Sequence, residues 1–301
     1  MNNGEHVPPL RSPSIHSSLG EPTIGGALQY GAQLLMAAGI ENPRREARLL
    51  LAHVIGGGTE ELLRDLAAPA DITAYNTLLD RRCRREPLAF ILGRRGFWTM
   101  DLMVSRATLI PRPETETLIE AARAWFLGHP GPDRILDLGT GTGCLLLAAL
   151  SEFPQAFGVG VDVVPEAARL AAANSAVTGL ADRATFLCGC WADALSGTFD
   201  LVLCNPPYIR SAQISGLMPE VACHEPPSAL DGGPDGLDAY RTLASVLPHI
   251  MSSDALAVLE LGAGQAENVA DLARCCGFSA TTRPDLSGMP RAVILRRALL
   301  P

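Results

Sequence analysis

The sequence contains no lysine: all 24 basic residues among its 301 residues are arginine. This absence excludes catalysis through a lysine Schiff base, and it excludes a P-loop, which needs a lysine on the bound phosphates. The net charge of −8 also argues against a general nucleic-acid binder, because such affinity depends on many cationic contacts to phosphate.

Metal-binding and disulfide patterns are also missing. The eight cysteines include no C-x-x-C pair, and most lie in apolar stretches, where cysteine acts as a small hydrophobic residue. Such usage predicts no metal site and no disulfide framework, and it fits a reducing cytoplasm. The adjacent Cys223, His224 and Glu225 are not predicted to act together, because catalytic groups are normally assembled from distant positions.

Long apolar runs are absent as well. No run approaches membrane-spanning length, and the first twenty residues lack the basic-then-apolar order of a signal peptide. We therefore expect a cytoplasmic protein without membrane contact. With 48% hydrophobic and 19% charged residues, the chain can bury a large core, and nothing in it demands more than a monomer.

Composition and periodicity predict four regions. They are a disordered tail (1–20), a small helical bundle (21–90), a linking β-hairpin (91–112) and an α/β domain (113–301). In the bundle, Asn42 is a candidate cap and Pro43 opens a helix, while residues 97–104 supply the strand formers of the hairpin. Further apolar strands are predicted at residues 134–138, 157–161, 184–188, 199–204, 255–261 and 292–296. Their alternation with helices predicts a doubly wound, mostly parallel Rossmann-like sheet.

Asn205, Pro206, Pro207 and Tyr208 close the apolar run 199–204. A carboxamide and two prolines at a strand end suit methylation of a planar nitrogen, because an enzyme must hold the NH2 plane and satisfy both N–H donors. The side-chain oxygen of Asn205 can accept one N–H, a carbonyl beside a proline can accept the other, and Tyr208 offers a flat wall. Taken alone, the motif is more typical of an ordinary Pro-rich turn after a strand, and the methylation interpretation depends on the residues upstream.

A glycine-rich turn follows an earlier strand, and its residues in order are Asp137, Leu138, Gly139, Thr140, Gly141, Thr142 and Gly143. Glycines let the backbone pass close to a ligand, and the helix that follows offers free N–H groups, so a nucleotide-like cofactor fits here. A dinucleotide fingerprint beginning at Gly139 would need a small residue at position 144. Cys144 stands there instead, which weakens an NAD interpretation.

Two further residues complete the predicted cofactor site. Asp162 ends the next strand, where a carboxylate receives ribose hydroxyls in βαβ units, and Trp191 follows the third strand at a distance that can bring it to an adenine ring. If strands 134–138 and 199–204 are neighbours where the strand order reverses, the glycine loop and residues 205–208 share one crevice. Methyl donor and acceptor then meet.

Six arginines crowd into residues 81–95 and are opposed there only by Glu86. One interpretation is a docking patch for an acidic partner. The other, which we favour, is a basic helix end that complements the helix dipole and is solvated beyond it.

Together these motifs resemble the bacterial release-factor glutamine N5-methyltransferases throughout the folded length of the chain. The matching segments are residues 85–93, 97–98, 109–116, 137–143, 205–209, 225–230 and 285–288, followed by Arg291. The motif at 205–208 is shared with adenine N6-methyltransferases, whereas residues 109–116 and 225–230 resemble the glutamine enzymes in particular. Phe90 is a departure, since the family more often has tyrosine there.

The resemblance implies methyl transfer from S-adenosylmethionine to the glutamine of the Gly-Gly-Gln motif in peptide chain release factors. It implies that residues 139–143 wrap the methionine portion of the cofactor, that Asp162 binds the ribose and that Trp191 packs near adenine. Asn205 would orient the substrate amide, with the Pro206 carbonyl as second acceptor. Pro207 and Tyr208 would line the substrate slot, and the helical bundle would grip the release factor.

Two other functions are compatible with parts of the pattern. An adenine N6-methyltransferase would hold a flipped base against Tyr208, but the acidic net charge and the lack of an added recognition domain argue against stable nucleic-acid binding. A non-catalytic adaptor would keep the fold without the chemistry. The presence of Asp137, Asp162 and Asn205 argues against such a loss of catalytic function.

Overall fold

The computed structural model describes residues 22–298, which form two compact units that divide between Arg84 and Arg85. The predicted disordered tail, residues 1–20, lies outside the described residues. The predicted domain boundaries at residues 90 and 112 stay predictions. Within residues 22–298, no helix is both long enough and apolar enough to cross a membrane.

The first unit is helical. Its helices are α1 (Ile24–Ala37), α2 (Pro43–Ile55), α3 (Thr59–Leu62) and α4 (Thr73–Cys83). Leu35, Leu50 and Tyr75, one from each of the longer helices, are completely buried. Helix α2 starts at Pro43 as predicted, because proline fixes φ and needs no hydrogen-bond acceptor at that position. Asn42 precedes it, but its side chain makes no capping hydrogen bond.

The second unit opens with α5 (Leu88–Leu92) and a hairpin of β1 (Arg94–Phe97) and β2 (Met100–Met103). The predicted hairpin is therefore present. The strand formers predicted at 97–104 include the whole of the second strand but only the last residue of the first, because the chain turns at Trp98 and the first strand lies upstream of it. Trp98 has φ 56°, a left-handed conformation that the residue type does not suggest.

The rest of the second unit alternates between strands and helices. After a 3₁₀ segment (Pro113–Thr115) come α6 (Glu116–Phe126), β3 (Arg134–Leu138), α7 (Cys144–Glu152), β4 (Phe157–Asp162), α8 (Pro165–Val177), β5 (Ala184–Cys188), β6 (Phe199–Cys204), α9 (Pro219–Ala222), α10 (Asp238–Ile250), β7 (Met251–Glu260), α11 (Ala266–Cys275), β8 (Phe278–Pro284) and β9 (Pro290–Arg297). Two more 3₁₀ segments, Ser211–Gly216 and Pro227–Ala229, flank α9.

Seven strands form one sheet in the order β5-β4-β3-β6-β7-β9-β8. The first five pair in parallel, and β9 pairs antiparallel with both β7 and β8. This order confirms the predicted doubly wound, mostly parallel sheet. The central strands are continuous apolar runs because helices cover both of their faces. Edge strand β8 was not predicted, since its Ser and Thr side chains are largely exposed.

Strand order reverses between β3 and β6, which lie side by side with Leu138 opposite Cys204. The predicted pairing of these strands is confirmed, and the loops that follow them emerge at one edge of the sheet. Glycines on β4 let its neighbours pack closely: a Cβ atom at Gly158 would lie 2.5 Å from Leu146, and one at Gly160 would lie 2.6 Å from Phe186.

Candidate functional site

The glycine-rich loop after β3 is held by its backbone and by two acids. The amides of Gly139 and Thr140 both donate to the carbonyl of Val161 at the end of β4, at 2.9 and 3.0 Å. The Thr140 hydroxyl donates to Oδ2 of Asp137 at 2.7 Å. Gly139 and Gly141 have φ values of 72° and 54°, which residues with a side chain rarely adopt.

Asp162 joins this loop to the start of α8. One carboxylate oxygen accepts the Gly141 amide at 2.8 Å, and the other accepts the Val164 amide at 2.9 Å. Each oxygen of a carboxylate has a further lone pair, so both remain able to accept a hydroxyl. Burial raises the pKa of Asp162, and the two amide hydrogen bonds oppose that rise.

A cavity of about 230 Å³ opens over the loop, and we call it the glycine-loop cavity. Its walls bring together residues from the ends of β3, β4, β5 and β6. The lining includes Thr108, Gly139, Thr140, Gly141, Thr142, Cys144, Asp162, Val163, Val164, Cys190, Trp191, Asn205 and Pro207. Trp191 has φ 48°, so the loop after β5 turns sharply at this residue.

Asn205 belongs to a hydrogen-bonded chain that sequence analysis did not predict. Its side-chain Nδ2 donates to Oγ1 of Thr115 at 3.2 Å, and Thr115 Oγ1 donates to Oε2 of Glu260 at 2.5 Å. The Tyr208 hydroxyl donates to the other oxygen of Glu260 at 3.0 Å. Glu260 is therefore the common acceptor for two residues of the site.

A second cavity of about 380 Å³ lies on the other side of Asn205, and we call it the Tyr208 cavity. Apolar side chains, two arginines and two glutamates surround it. Its lining comprises Leu109, Arg112, Glu114, Asn205, Tyr208, Ile209, Leu217, Met218, Val221, Ala229, Leu230, Glu260 and Arg291. Asn205 lines both cavities, as do Leu109, Arg112 and Ala229, so it lies where the two cavities meet.

The segment from Ile209 to Asp231 covers the Tyr208 cavity and is tied down by ion pairs. Arg112 contacts the almost fully buried Glu225 at 2.5 Å, and Arg85 contacts Glu220 at 2.9 Å. The amide of Ile110 also donates to Glu225. Burial raises the pKa of Glu225, while the charge of Arg112 and its hydrogen bond act in the opposite direction.

Burial dominates the electrostatics of the other acids. It raises the pKa of Asp137 to about 7, against the lowering effect of the Thr140 hydroxyl. It also raises the pKa of Glu260, which the hydrogen bonds from Thr115 and Tyr208 and the charge of Arg291 oppose. Burial raises the pKa of the Cys144 thiol to about 12, so this cysteine in the glycine-loop cavity stays protonated and weakly nucleophilic.

The structure gathers most of the predicted site residues. The lining of the glycine-loop cavity includes the predicted loop up to Thr142, with Asp162, Trp191, Asn205 and Pro207, and the Tyr208 cavity includes Asn205 and Tyr208. Pro206 is buried and lines neither cavity. Gly143 lines neither as well: it precedes α7, and a Cβ atom there would lie 3.1 Å from Ala171.

Sequence analysis missed Thr115 and Glu260. A signal for Glu260 was present, because it ends an apolar strand with an acid just as Asp137 and Asp162 do. Thr115 lies within the segment 109–116 that carried the family resemblance, but the segment did not indicate what its hydroxyl contacts.

The predicted arginine cluster is largely paired within the chain. Arg84 contacts Asp80, Arg94 contacts Asp101, and Arg95 donates to the carbonyl of Pro111. These contacts favour a structural role for the cluster. Among residues 22–298, no group of three or more acids, histidines and cysteines is placed to hold a metal ion.

Two family models match the chain: the PrmC N-terminal domain over residues 26–93 and the methyltransferase small domain over residues 119–231. A release factor glutamine methyltransferase of Rhodospirillum rubrum is 48% identical, over 91% of this chain and 85% of that protein. A protein of the same name from Bradyrhizobium diazoefficiens is 39% identical, over 95% and 99% of the two chains.

Solved structures are similar in fold. A methyltransferase from Pyrococcus furiosus aligns with a TM-score of 0.50 at 16% identity, over 73% of this chain and 99% of that one. The hMettl16 catalytic domain, solved in complex with MAT2A 3'UTR hairpin 1, aligns with a TM-score of 0.51 at 19% identity, over 74% and 84%. At these identities the likeness concerns the Rossmann-like methyltransferase fold alone.

Removing the cation from the buried ion pair should destabilise the second unit. In Arg112→Met, Glu225 stays buried without its partner, and we expect the free energy of unfolding to fall by roughly 2–4 kcal/mol. This is below the full range for a buried pair because the Arg112 side chain is itself 33% exposed. Urea unfolding followed by tryptophan fluorescence measures the loss, since all three tryptophans lie in the second unit.

The control for this variant is Arg169→Met, which removes an exposed pair with Glu166 on α8. Its effect should stay within about 0.5 kcal/mol. Equal losses in the two variants would contradict a special role for the buried pair.

Asp137 should make stability depend on pH. In the unfolded chain this carboxyl ionises near pH 4, at about the value for exposed aspartate, whereas in the folded protein its pKa is about 7. Between these pH values unfolding releases a proton. The stability that the protonated Asp137 carboxyl contributes is therefore lost as pH rises from about 4 to about 7. Asp137→Asn has no carboxyl to ionise at this position. Its stability relative to the native protein should therefore increase over that pH range by on the order of a few kcal/mol.

Urea unfolding at a series of pH values measures this difference. Asp182→Asn, at an exposed position, serves as the control and should follow the native protein. A constant difference between Asp137→Asn and the native protein from pH 4 to pH 7 would show that the buried carboxyl does not titrate as described.

Proposed function

The chain belongs to the release factor glutamine methyltransferase family, and we propose that it transfers a methyl group from S-adenosylmethionine to the side-chain amide nitrogen (N5) of the glutamine in the Gly-Gly-Gln motif of peptide chain release factors. The observation that carries this proposal is the position of Asn205, a carboxamide at the junction of two cavities. One cavity suits the methyl donor and the other an acceptor amide. The modification would support translation termination in the cytoplasm.

The glycine-loop cavity fits S-adenosylmethionine. At Gly139 nothing lies within 4 Å of a built Cβ atom, so the loop leaves open space for a ligand against its backbone. When bound, the cofactor supplies an electrophilic methyl group on a sulfonium.

Within this cavity each predicted residue has a proposed role. Residues 139–142 hold the methionine portion, whereas Gly143 lines neither cavity and supports the loop from the start of α7. Asp162 keeps lone pairs for the ribose hydroxyls while its amide contacts fix the loop. Trp191 supplies an aromatic surface for adenine. Because Asp162 serves both the loop and the cofactor, we expect its loss to disturb both.

The acceptor amide is placed in the Tyr208 cavity. The Oδ1 atom of Asn205 accepts one N–H of the glutamine, and Tyr208 lines the slot. The Pro206 carbonyl is the proposed second acceptor, although Pro206 is buried and lines neither cavity, and Pro207 borders the slot from the glycine-loop cavity. Catalysis then consists mainly of positioning and exclusion of water. No base is required, because the methylated amide formed first is a strong acid that loses its proton readily.

The helical unit is the proposed grip on the release factor. It matches the PrmC N-terminal domain, which accompanies the methyltransferase domain in this chain. A protein substrate needs more surface than a single amide slot supplies. The proposal includes a monomeric enzyme with no stable binding of nucleic acid, consistent with a net charge of −8. An adenine N6-methyltransferase is not favoured, because the two relatives described above are named release factor glutamine methyltransferases and align with more than nine-tenths of this chain.

Substitution of Asn205 tests the acceptor site. In Asn205→Ala the substrate amide loses an acceptor at a site without water, and turnover of release factor should fall by roughly a hundredfold or more. Asn205→Asp keeps an oxygen near the same place, so it should retain more activity than alanine. Both are measured as transfer of labelled methyl to purified release factor, with the cofactor affinity followed in parallel by calorimetry.

The control is Ser245→Ala, an exposed position on α10 that lines neither cavity. It should retain native turnover. If Asn205→Ala also retained native turnover, the proposed amide contact would be wrong.

A further inference from the structure

We propose that Thr115 and Glu260 are positioning residues that fix which way the Asn205 carboxamide faces. A one-way chain of hydrogen bonds holds Nδ2 of Asn205 toward Thr115 and thereby presents Oδ1 to the acceptor. The consequence for methyl transfer rests on the proposed function. The direction of these hydrogen bonds rests on the geometry alone.

The hydrogen bonds that link Asn205, Thr115 and Glu260 are few and buried. Thr115 and Glu260 are 2% and 1% exposed, so bulk solvent competes little for their contacts. Asn205 Nδ2 lies 3.2 Å from Thr115 Oγ1, which lies 2.5 Å from Glu260 Oε2. Parallel pairing sets this proximity, because Cys204 at the end of β6 is opposite Leu259 on β7, and Asn205 and Glu260 are the next residues along the chain.

The number of protons available at each group determines which group donates and which accepts in these hydrogen bonds. A carboxylate only accepts hydrogen bonds, so the single proton of the Thr115 hydroxyl is committed to Glu260. Thr115 then has only lone pairs left for Asn205. Only the NH2 group of the carboxamide can donate to a lone pair, and the Oδ1 atom must point away from Thr115. A carboxamide turned by 180° would set two acceptors against each other.

The same carboxylate holds the other wall of the acceptor cavity. Tyr208 donates its hydroxyl proton to Oε1 of Glu260 at 3.0 Å, and burial raises the pKa of Tyr208, so that proton is retained. Both Asn205 and Tyr208 line the Tyr208 cavity. One buried acid therefore orients the amide acceptor and the aromatic wall, although no contact between Glu260 and the reacting atoms is required.

The test compares Thr115→Val with Thr115→Ser. Valine keeps the shape of threonine but removes the hydroxyl, and turnover should fall by about tenfold or more, because a misplaced acceptor loses the productive geometry. Thr115 also lines the glycine-loop cavity, but valine fills nearly the same volume there, so the KM for S-adenosylmethionine should rise by less than turnover falls. Serine keeps the hydroxyl and should restore turnover to within about threefold of native. Glu260→Gln tests the chain from its other end and should also lower turnover.

A double-variant cycle separates positioning from a general structural effect. In the Asn205→Ala background, Thr115→Val should cause no further loss, because the group that it orients is gone. Losses that multiply in the double variant would overturn the proposal. So would native turnover in Thr115→Val.

A spectroscopic readout keeps this test independent of the substrate. The side-chain NH2 signal of Asn205 in a nitrogen–proton NMR spectrum is identified by its absence in Asn205→Ala. It should shift in Thr115→Val and in Glu260→Gln, and it should stay near its native position in Thr115→Ser. An unshifted signal in Thr115→Val would overturn the proposed role of Thr115 in orienting Asn205, even if release factor is methylated. If the native protein leaves release factor unmethylated, the proposed function is contradicted instead. The NMR result still shows whether Thr115 and Glu260 orient the Asn205 carboxamide.

Discussion

Parallel pairing of β3 with β6 is the constraint on which the site depends. The two strands are far apart in the chain, yet their carboxyl ends lie side by side, with Leu138 opposite Cys204. The loop after β3 forms one cavity and Asn205 after β6 closes it, because both loops leave the sheet at the point where its strand order reverses. If this pairing slipped by one residue, the side chains of β6 would exchange faces and Asn205 would leave the junction.

Acids at the ends of strands hold the functional loops. Asp137, Asp162 and Glu260 end β3, β4 and β7, or lie one residue before the end, and each accepts hydrogen bonds from the loops above the sheet. Burial of an acid is unfavourable unless such donors compensate for lost hydration. The raised pKa values of all three show that the compensation is incomplete. The site therefore retains strong acceptors at the cost of some stability, as is common where binding is the task.

The sequence predicts the parts of this arrangement that are local. Continuous apolar runs revealed the central strands, and the glycine loop and Asn205 follow such runs directly. Glu260 and Thr115 could not be joined in the same way, because their hydrogen bond links residues 145 positions apart and the link to Asn205 spans 90. Strand β8 was missed because it is an edge strand whose side chains are polar and exposed. The sequence did not locate the hairpin turn, because Trp98 adopts a conformation more typical of glycine.

The central claim is that the acceptor beside Asn205 is the side-chain amide of a glutamine. Tandem mass spectrometry of release factor, after incubation with this protein and isotope-labelled S-adenosylmethionine, locates the methyl group most directly. The account predicts that the label is found on the side chain of the Gly-Gly-Gln glutamine, and that Asn205→Ala greatly reduces it. Unmodified glutamine in release factor, with label found on adenine of nucleic acid added to the same reaction, would contradict the account.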